Sequence, residues 1–388
     1  MDNGIEKLAP WCALNRIFGF SPKSGIALIR HFGGAAEVFR ADRKELAEAV
    51  GAGSRYPELI TDEAVALEIK SLEELAGKGD RFICIDSPEY PALLKECEDP
   101  PIGIYLKSGS APDEIFGNPH PIAIVGTRDI SSYGIEWCTR IVEALAGTGA
   151  RPLIVSGLAI GTDITAHLAA LDRGLPTVAV MATGTDAVYP FRHGFAADRI
   201  AGAKGSGLVT DYPPGTCPRA INFLRRNRII AGLGRAVILI ESRTKGGGLL
   251  TCRLAYSYNR DVYALPGRID DARSGGCNKL IHNKIAEPVY DLQELVSSLG
   301  LQPSGNTEKK DIRGYVLSRY SDISPGTAER AARLAEIISG NRDCGLDELC
   351  RLAGMDFRDV SACVNMLEMD GIVVTDLLRH CSINPKII

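Results

Sequence analysis

Six short apolar runs, Ile122–Val125, Leu153–Val155, Thr177–Met181, Leu208–Thr210, Ala236–Ile240 and Val262–Leu265, return about every 25–30 residues through the middle of the chain. Amphipathic stretches of helical period lie between them, Tyr133–Ala146 and Leu249–Tyr258 among them. A strand that is apolar throughout has to be covered on both faces. Helical crossovers between such strands supply that cover only in a parallel sheet. Two further runs, Phe82–Ile85 and Ile102–Leu106, extend the same sheet.

The fold class expected is therefore α/β, a doubly wound, Rossmann-like parallel sheet over residues 79–301. The flanks read differently. Trp11–Phe18, Pro22–Phe32, Arg43–Ala49 and Thr61–Leu75 carry apolar residues at helical spacing, and Gly19 and Pro22 punctuate the turn between the first two. Residues 1–78 are expected as a helical module of the SAM/helix-hairpin-helix-like kind, with packing the main role of its turn. A polar linker, Gln302–Lys310, precedes Ala328–Ser339, Leu346–Ala353, Phe357–Met369 and Ile372–Thr375. Three helices followed by a hairpin are winged-helix in order, placing that domain at 311–388.

Composition excludes several classes. The 388 residues hold eleven cysteines with no CxxC, an odd number that suits reduced thiols better than a disulfide framework or a zinc site. Cys344, Cys350 and Cys363 fit no metal spacing and read as small apolar groups. Met1–Arg16 contains acids and no apolar core of signal-peptide length, and the longest apolar runs fall short of the roughly 20 residues of a membrane span. A cytoplasmic location without a membrane partner is expected. The net charge of −4 is uninformative, but Tyr212–Arg260 carries nine basic residues and one acid, Glu241. That excess is the footprint of a polyanion site. The C-terminal Phe357–Met369 stretch offers Arg358 against Asp359 and Glu368, which favours protein contact or a structural role over duplex binding.

In an open parallel sheet, ligands bind beyond the carboxyl ends of the strands. There the sequence places Gly126-Thr127-Arg128, Ser156-Gly157 with Gly161-Thr162-Asp163, Thr183-Gly184-Thr185, and Glu241 to Gly248. Small residues let a ligand approach the backbone, and helix N-termini beyond them present free N–H groups to phosphate. The dinucleotide fingerprint GxGxxG and the P-loop are both absent. Asp163 and His167 read as a cap and a structural imidazole, and no nucleophile or carboxylate pair stands out. No catalytic residue, metal or cofactor is expected. Asn222-Phe223-Leu224-Arg225-Arg226-Asn227-Arg228 joins three cations, two amides and an aromatic, a mixture suited to holding a backbone and stacking a base.

That run, together with Ala123–Arg128, Ser156–Ala159, Asp163–His167, Tyr212–Thr216, Pro266-Gly267 and the lead-in from Ser87 to Pro101, resembles the DNA-processing protein A (DprA/Smf) family, in the family's order. The resemblance runs from about 82 to 295 and implies a non-enzymatic recombination mediator of natural transformation. Such a protein binds and protects single-stranded DNA, loads the RecA recombinase and works as a homodimer. By motif it assigns DNA contacts to Gly126, Thr127, Arg128, Ser156, Gly157, Asn222, Phe223, Arg225, Arg226, Asn227, Arg228, Lys245, Gly246 and Gly247. Helix geometry sets Arg225 and Arg228 on one side and Arg226 about 100° away, free to pair with an acid. Ile160, Leu224, Gly246 and Gly248 stand where the family commonly has Arg, Pro, Ser and Ser. The last loop is thus left to donate through backbone N–H alone. The competing reading is a nucleotide-processing hydrolase of the lysine-decarboxylase-like (LOG) class. It requires a Glu after the glycines, whereas Glu241 precedes them.

Overall fold

The computed structural model describes residues 2–51, 53–302, 312–341, 344–376 and 380–384. Two compact units result, Met1–Pro303 and Ser304–Ile388. Most of the expected linker and the last four residues lie outside the described residues.

The first unit is built on a nine-stranded sheet: β1 (Arg81–Cys84), β2 (Gly103–Lys107), β3 (Pro121–Val125), β4 (Leu153–Ser156), β5 (Thr177–Val180), β6 (Gly207–Thr210), β7 (Ala236–Leu239), β8 (Asp261–Ala264) and β9 (Glu287–Pro288). All eight strands expected from apolar runs are present. The order is β1-β2-β6-β5-β4-β3-β7-β8-β9, with β3 to β9 parallel and β1 and β2 antiparallel additions. The chain steps outward from β3 to β6, then returns through the Ala220–Leu233 helix to β7 on the other side of β3. This reversal makes the β3–β7 boundary the topological switch point.

Alternation along β3 and β7 divides the core. Ala123, Val125, Val237 and Leu239 enter one apolar layer, and Ile122, Ile124, Ala236 and Ile238 the other. Helices cover both, so β3 and β7 are buried along their length, which is why these runs carry no polar alternation.

The N-terminal helices belong to the same unit as the sheet. Cys12, Leu72 and Leu75 pack against Phe82 and Tyr105 of the antiparallel strands, and Ile102 joins the cluster of Leu14, Phe18 and Ile26. Asn15 locks the joint, donating to the Asp211 carbonyl and accepting from the Gly103 N–H at 3.0 and 3.1 Å. The first helix runs Asp2–Ile17, longer than the expected Trp11–Phe18, with Pro10 inside it. Short helices at Ala35–Arg40 and Tyr56–Leu59 also lie outside the helical periods read from the sequence.

The second unit contains helices Ile312–Arg319, Pro325–Gly340, Leu346–Ala353 and Phe357–Met369. They pack on a three-stranded sheet in the order β10 (Cys344–Gly345), β12 (His380–Ile383), β11 (Val373–Thr375). Its own core includes Val316, Leu334, Leu349, Val364 and Leu367, with Cys344 and Cys363 buried in it.

Candidate nucleic-acid interface

At the switch point the loops after β3 and β7 meet almost without side chains between them. A Cβ on Gly248 would fall 3.3 Å from the Gly126 Cα, and one on Gly126 would strike the Thr162 hydroxyl at 2.3 Å. The loop after β4 is sewn to the same place, because the Thr162 N–H donates to the Thr127 carbonyl at 3.1 Å. Gly161, at φ +84°, has no room for a Cβ beside that carbonyl. The result is a cavity of about 410 Å³. Its walls are Gly126, Thr127 and Arg128, the Phe223, Arg226 and Asn227 face of the Ala220–Leu233 helix, and Lys245 to Gly248 at the start of the Gly247–Ser257 helix. Gly126 and Gly248, 122 positions apart in sequence, both line it.

The cations around it are of two kinds. Arg128 and Lys245 are exposed. The Arg128 guanidinium lies 5.2 Å from the Phe223 ring centroid, and Phe223 meets Tyr189 edge-on at 5.3 Å. Lys245 has no ionic partner among the described residues, whereas its neighbour Arg243 faces Asp129 at 3.5 Å. Arg226 is buried beneath the cavity. Its Nη1 donates to the Val180 carbonyl at 3.1 Å and stands 3.9 Å from Asp163, while its Nε has no hydrogen-bond partner. Burial lowers the pKa of Arg226 and raises that of Asp163, and each charge moves the other back toward its ionised form.

Several residues assigned to DNA by motif are placed elsewhere. Arg225 and Arg228 share a side and Arg226 stands near an acid, Asp163, as helix geometry set them, but the Arg226 side lines the cavity and Arg225 and Arg228 face away from it. Arg225 donates to the Gly19 carbonyl at 2.6 Å and lies 4.5 Å over the Phe20 ring. Arg228, buried, donates to the Asp211 carboxylate at 2.6 Å and to the Asp99 carbonyl. Ser156 is fully buried and donates to the Ile124 carbonyl at 2.6 Å. Gly157 lies directly over Arg226, and its Cβ would come within 1.4 Å of Nη1. The glycine leaves room for the arginine. Asn222 is buried, donating to the Ala182 and Cys217 carbonyls at 3.3 Å. Thr185 belongs to a different cavity, beside Lys78 and Asp186. Of the nine basic residues in Tyr212–Arg260, Arg226 and Arg228 are buried, whereas Arg219, Arg235, Arg243, Lys245 and Arg253 are exposed.

Acid–base chemistry finds little to work with. His167 is fully buried with Nδ1 2.7 Å from the Thr177 hydroxyl, and burial, aided by Arg226 and His193, pushes its pKa down to about 3. Both oxygens of Glu241 are held by Ser131, from N–H at 2.9 Å and hydroxyl at 2.5 Å. That bond fixes the start of the Ser132–Ala146 helix, so Glu241 is not presented as the carboxylate a LOG-type hydrolase needs.

The description DNA recombination-mediator protein A applies to the family model that matches residues 81–300. Protein Smf of Synechocystis is 34% identical over 386 residues, covering 94% of this chain and 96% of that protein. DNA processing protein DprA of Streptococcus pneumoniae is 35% identical over 229 residues, covering 59% of this chain and 78% of its own length. The X-ray structure of the pneumococcal protein superposes with TM-score 0.63 at 30% identity, covering 74% of this chain and 95% of that one. DNA processing protein A of Helicobacter pylori, whose structure was described for its single-stranded DNA binding mode, gives TM-score 0.50 at 27% identity over 56% of this chain and 95% of that one. With the matched region centred on the sheet and its glycine-lined switch point, the chain belongs to the DNA recombination-mediator protein A family.

Proposed function

We propose that this protein is a non-enzymatic, single-stranded-DNA-binding recombination mediator whose DNA site is the β3–β7 cavity. The carrying observation is the arrangement there: Arg128 over Phe223, with Lys245 and the glycine-rich N-terminus of the Gly247–Ser257 helix lining the same cavity. Exposed cations beside backbone N–H groups suit phosphates, and a half-buried aromatic with a guanidinium above it suits an unstacked base. A duplex would keep its bases out of reach of such a cavity. The single-strand binding mode of the Helicobacter relative supports this choice.

The finer roles we propose are protection of incoming single strands in natural transformation, loading of the RecA recombinase, assembly as a homodimer, and a cytoplasmic location. Residues 1–78 are read as a SAM/helix-hairpin-helix-like module and 311–388 as a winged helix. The charge balance of Phe357–Met369 supports a protein-contact role for the latter.

Fluorescence anisotropy with a thymidine oligomer and a matched duplex tests the reading. Single strands bind more tightly, and log K falls against log salt with a slope of roughly −3 to −4 for about four to six phosphates engaged. Equal affinity for duplex, or affinity indifferent to salt, would refute it.

A further inference from the structure

The segment between β5 and β6 carries aromatic surface that the cavity does not use. A 3-10 turn, Phe191–His193, runs directly into the Gly194–Gly202 helix. His193 is buried, its Nδ1 2.9 Å from the Leu158 carbonyl, which ties the turn to the loop after β4. Upstream, the Thr183 hydroxyl donates to the Ala187 carbonyl at 2.6 Å, and Asp186 accepts from the Gly215 N–H at 2.9 Å. The backbone is braced on both sides. Yet Phe191 is 92% exposed and Phe195 77%. Four residues apart on continuous helical backbone, they lie on one side. Leaving such rings in water forgoes their burial, and two of them on braced backbone make a surface that a flat apolar partner would cover.

The partner is indicated by where this surface begins. Tyr189, half exposed, stands two residues before Phe191 and meets Phe223 of the cavity wall. From the Arg128–Phe223 contact the aromatic residues continue along the chain, through Tyr189 to Phe191 and Phe195. Arg192, between the two phenylalanines, is exposed, and the ion pair of this region joins Arg199 to Asp172 instead. Rings interleaved with a cation that has no ionic partner among the described residues match the alternation of base and phosphate along a single strand. We propose that Tyr189, Phe191 and Phe195 form a ledge on which bases of a single strand stack after leaving the β3–β7 cavity. The inference rests on the strand-binding reading above.

The test is a comparison of oligomer lengths in the full chain. Thymidine oligomers of about 6 and about 15 nucleotides, within the 4–16 nucleotide footprints of single-strand-binding folds, are titrated against wild type, Phe191→Ala/Phe195→Ala and Phe191→Trp. The alanine variant holds the short oligomer within about twofold of wild type and loses the long one by about tenfold. The tryptophan variant retains both. Equal loss on both oligomers, or on neither, overturns the ledge. So does a change in sedimentation of the DNA-free protein with the length dependence intact, which marks these rings as a protein contact. Wild type that binds neither oligomer overturns the strand-binding reading and the ledge with it, whereas failure of the ledge alone leaves wild-type binding in place.

Discussion

The Ala220–Leu233 helix and the loops after β3 and β7 both carry arginine or lysine at the same end of the sheet, and they use those charges in opposite ways. The helix holds three arginines in four positions, and each is engaged inside the protein: Arg225 on Gly19 and Phe20, Arg226 over Asp163, Arg228 on Asp211. The loops hold three as well, Arg128, Arg243 and Lys245, and all stand exposed at the cavity rim, with Arg243 facing Asp129. Density of charge along a sequence is therefore a poor guide to charge at a surface. A helix returning across a sheet has to be anchored on both sides, and guanidinium groups with several donors anchor well to carbonyls and carboxylates. Loops at strand ends have little to pack against, so their cations remain available.

The largest test of this contrast is on the buried side. Arg228→Ala leaves Asp211 buried without its partner and should lower unfolding free energy by about 3–5 kcal/mol. Denaturant melts with a normalised binding assay check it. The variant is destabilised, while the fraction that remains folded binds single-stranded DNA as wild type does. A stable variant with weakened binding would instead place Arg228 at the DNA.

What was legible in the sequence divides along the same line. Strands buried on both faces read directly because local composition decides them, and the strand-end rule then located Gly126, Arg128 and Lys245. The facing of the helix was not legible. It depends on Asp211, 17 residues before Arg228, and on the Asp99 carbonyl, 129 residues before it, neither marked by any local pattern. Gly157 misled for a related reason, since a glycine that admits a ligand and one that admits a neighbouring side chain look alike in sequence. The short helix Ala35–Arg40 escaped because its existence rests on Val38 and Ala35 reaching the core rather than on a full amphipathic period. The exposed two-residue β9 likewise has no apolar run to announce it.

His167 probes the interior beneath the cavity by pH. The imidazole titrates near 6.5 when unfolded and near 3 when folded. Between those values the unfolded chain binds the extra proton, so the stability linked to His167 is complete above about 6.5 and is lost as pH falls toward 3. From pH 7 to pH 5 wild type should lose about 2 kcal/mol through this group. His167→Asn, which keeps a polar group toward Thr177, should flatten that part of the profile in urea titrations at the two pH values. The raised pKa of Asp163 acts with the opposite sign, so an unchanged slope in the variant would mean that other groups govern the window.

On the exposed side, Arg128→Ala and Lys245→Ala should each flatten the salt slope by about 0.7, one phosphate's share, without lowering the melting temperature. The double variant should bind about tenfold more weakly, on the order of 1.4 kcal/mol. Melting curves are the control, because a loss of stability would make these residues structural like their helical counterparts. A folded double variant with unchanged affinity would move the DNA site away from the strand ends altogether.

The smallest effect is the most discriminating. Arg225 lies on the back of the helix, half-buried, donating to the Gly19 carbonyl and stacked on the exposed Phe20. Cation–π contact at an exposed ring contributes about 0.5–1 kcal/mol, and a charge-assisted hydrogen bond a comparable amount. Arg225→Ala should therefore cost about 1 kcal/mol of stability and leave the affinity for a thymidine oligomer within about twofold. Arg225→Lys separates the two roles, since it retains positive charge while losing the planar group that lies on Phe20. If Arg225→Ala weakens strand binding as far as Arg128→Ala does and Arg225→Lys restores it, the strand must reach round to the cavity of about 530 Å³ lined by Phe20, Lys23 and Arg225. The distinction between an anchoring side and a binding side of this helix would then fail. If both variants bind normally while melting slightly earlier, Arg225 is an anchor like Arg228, and the exposed Arg128 and Lys245 carry the charge that meets the strand.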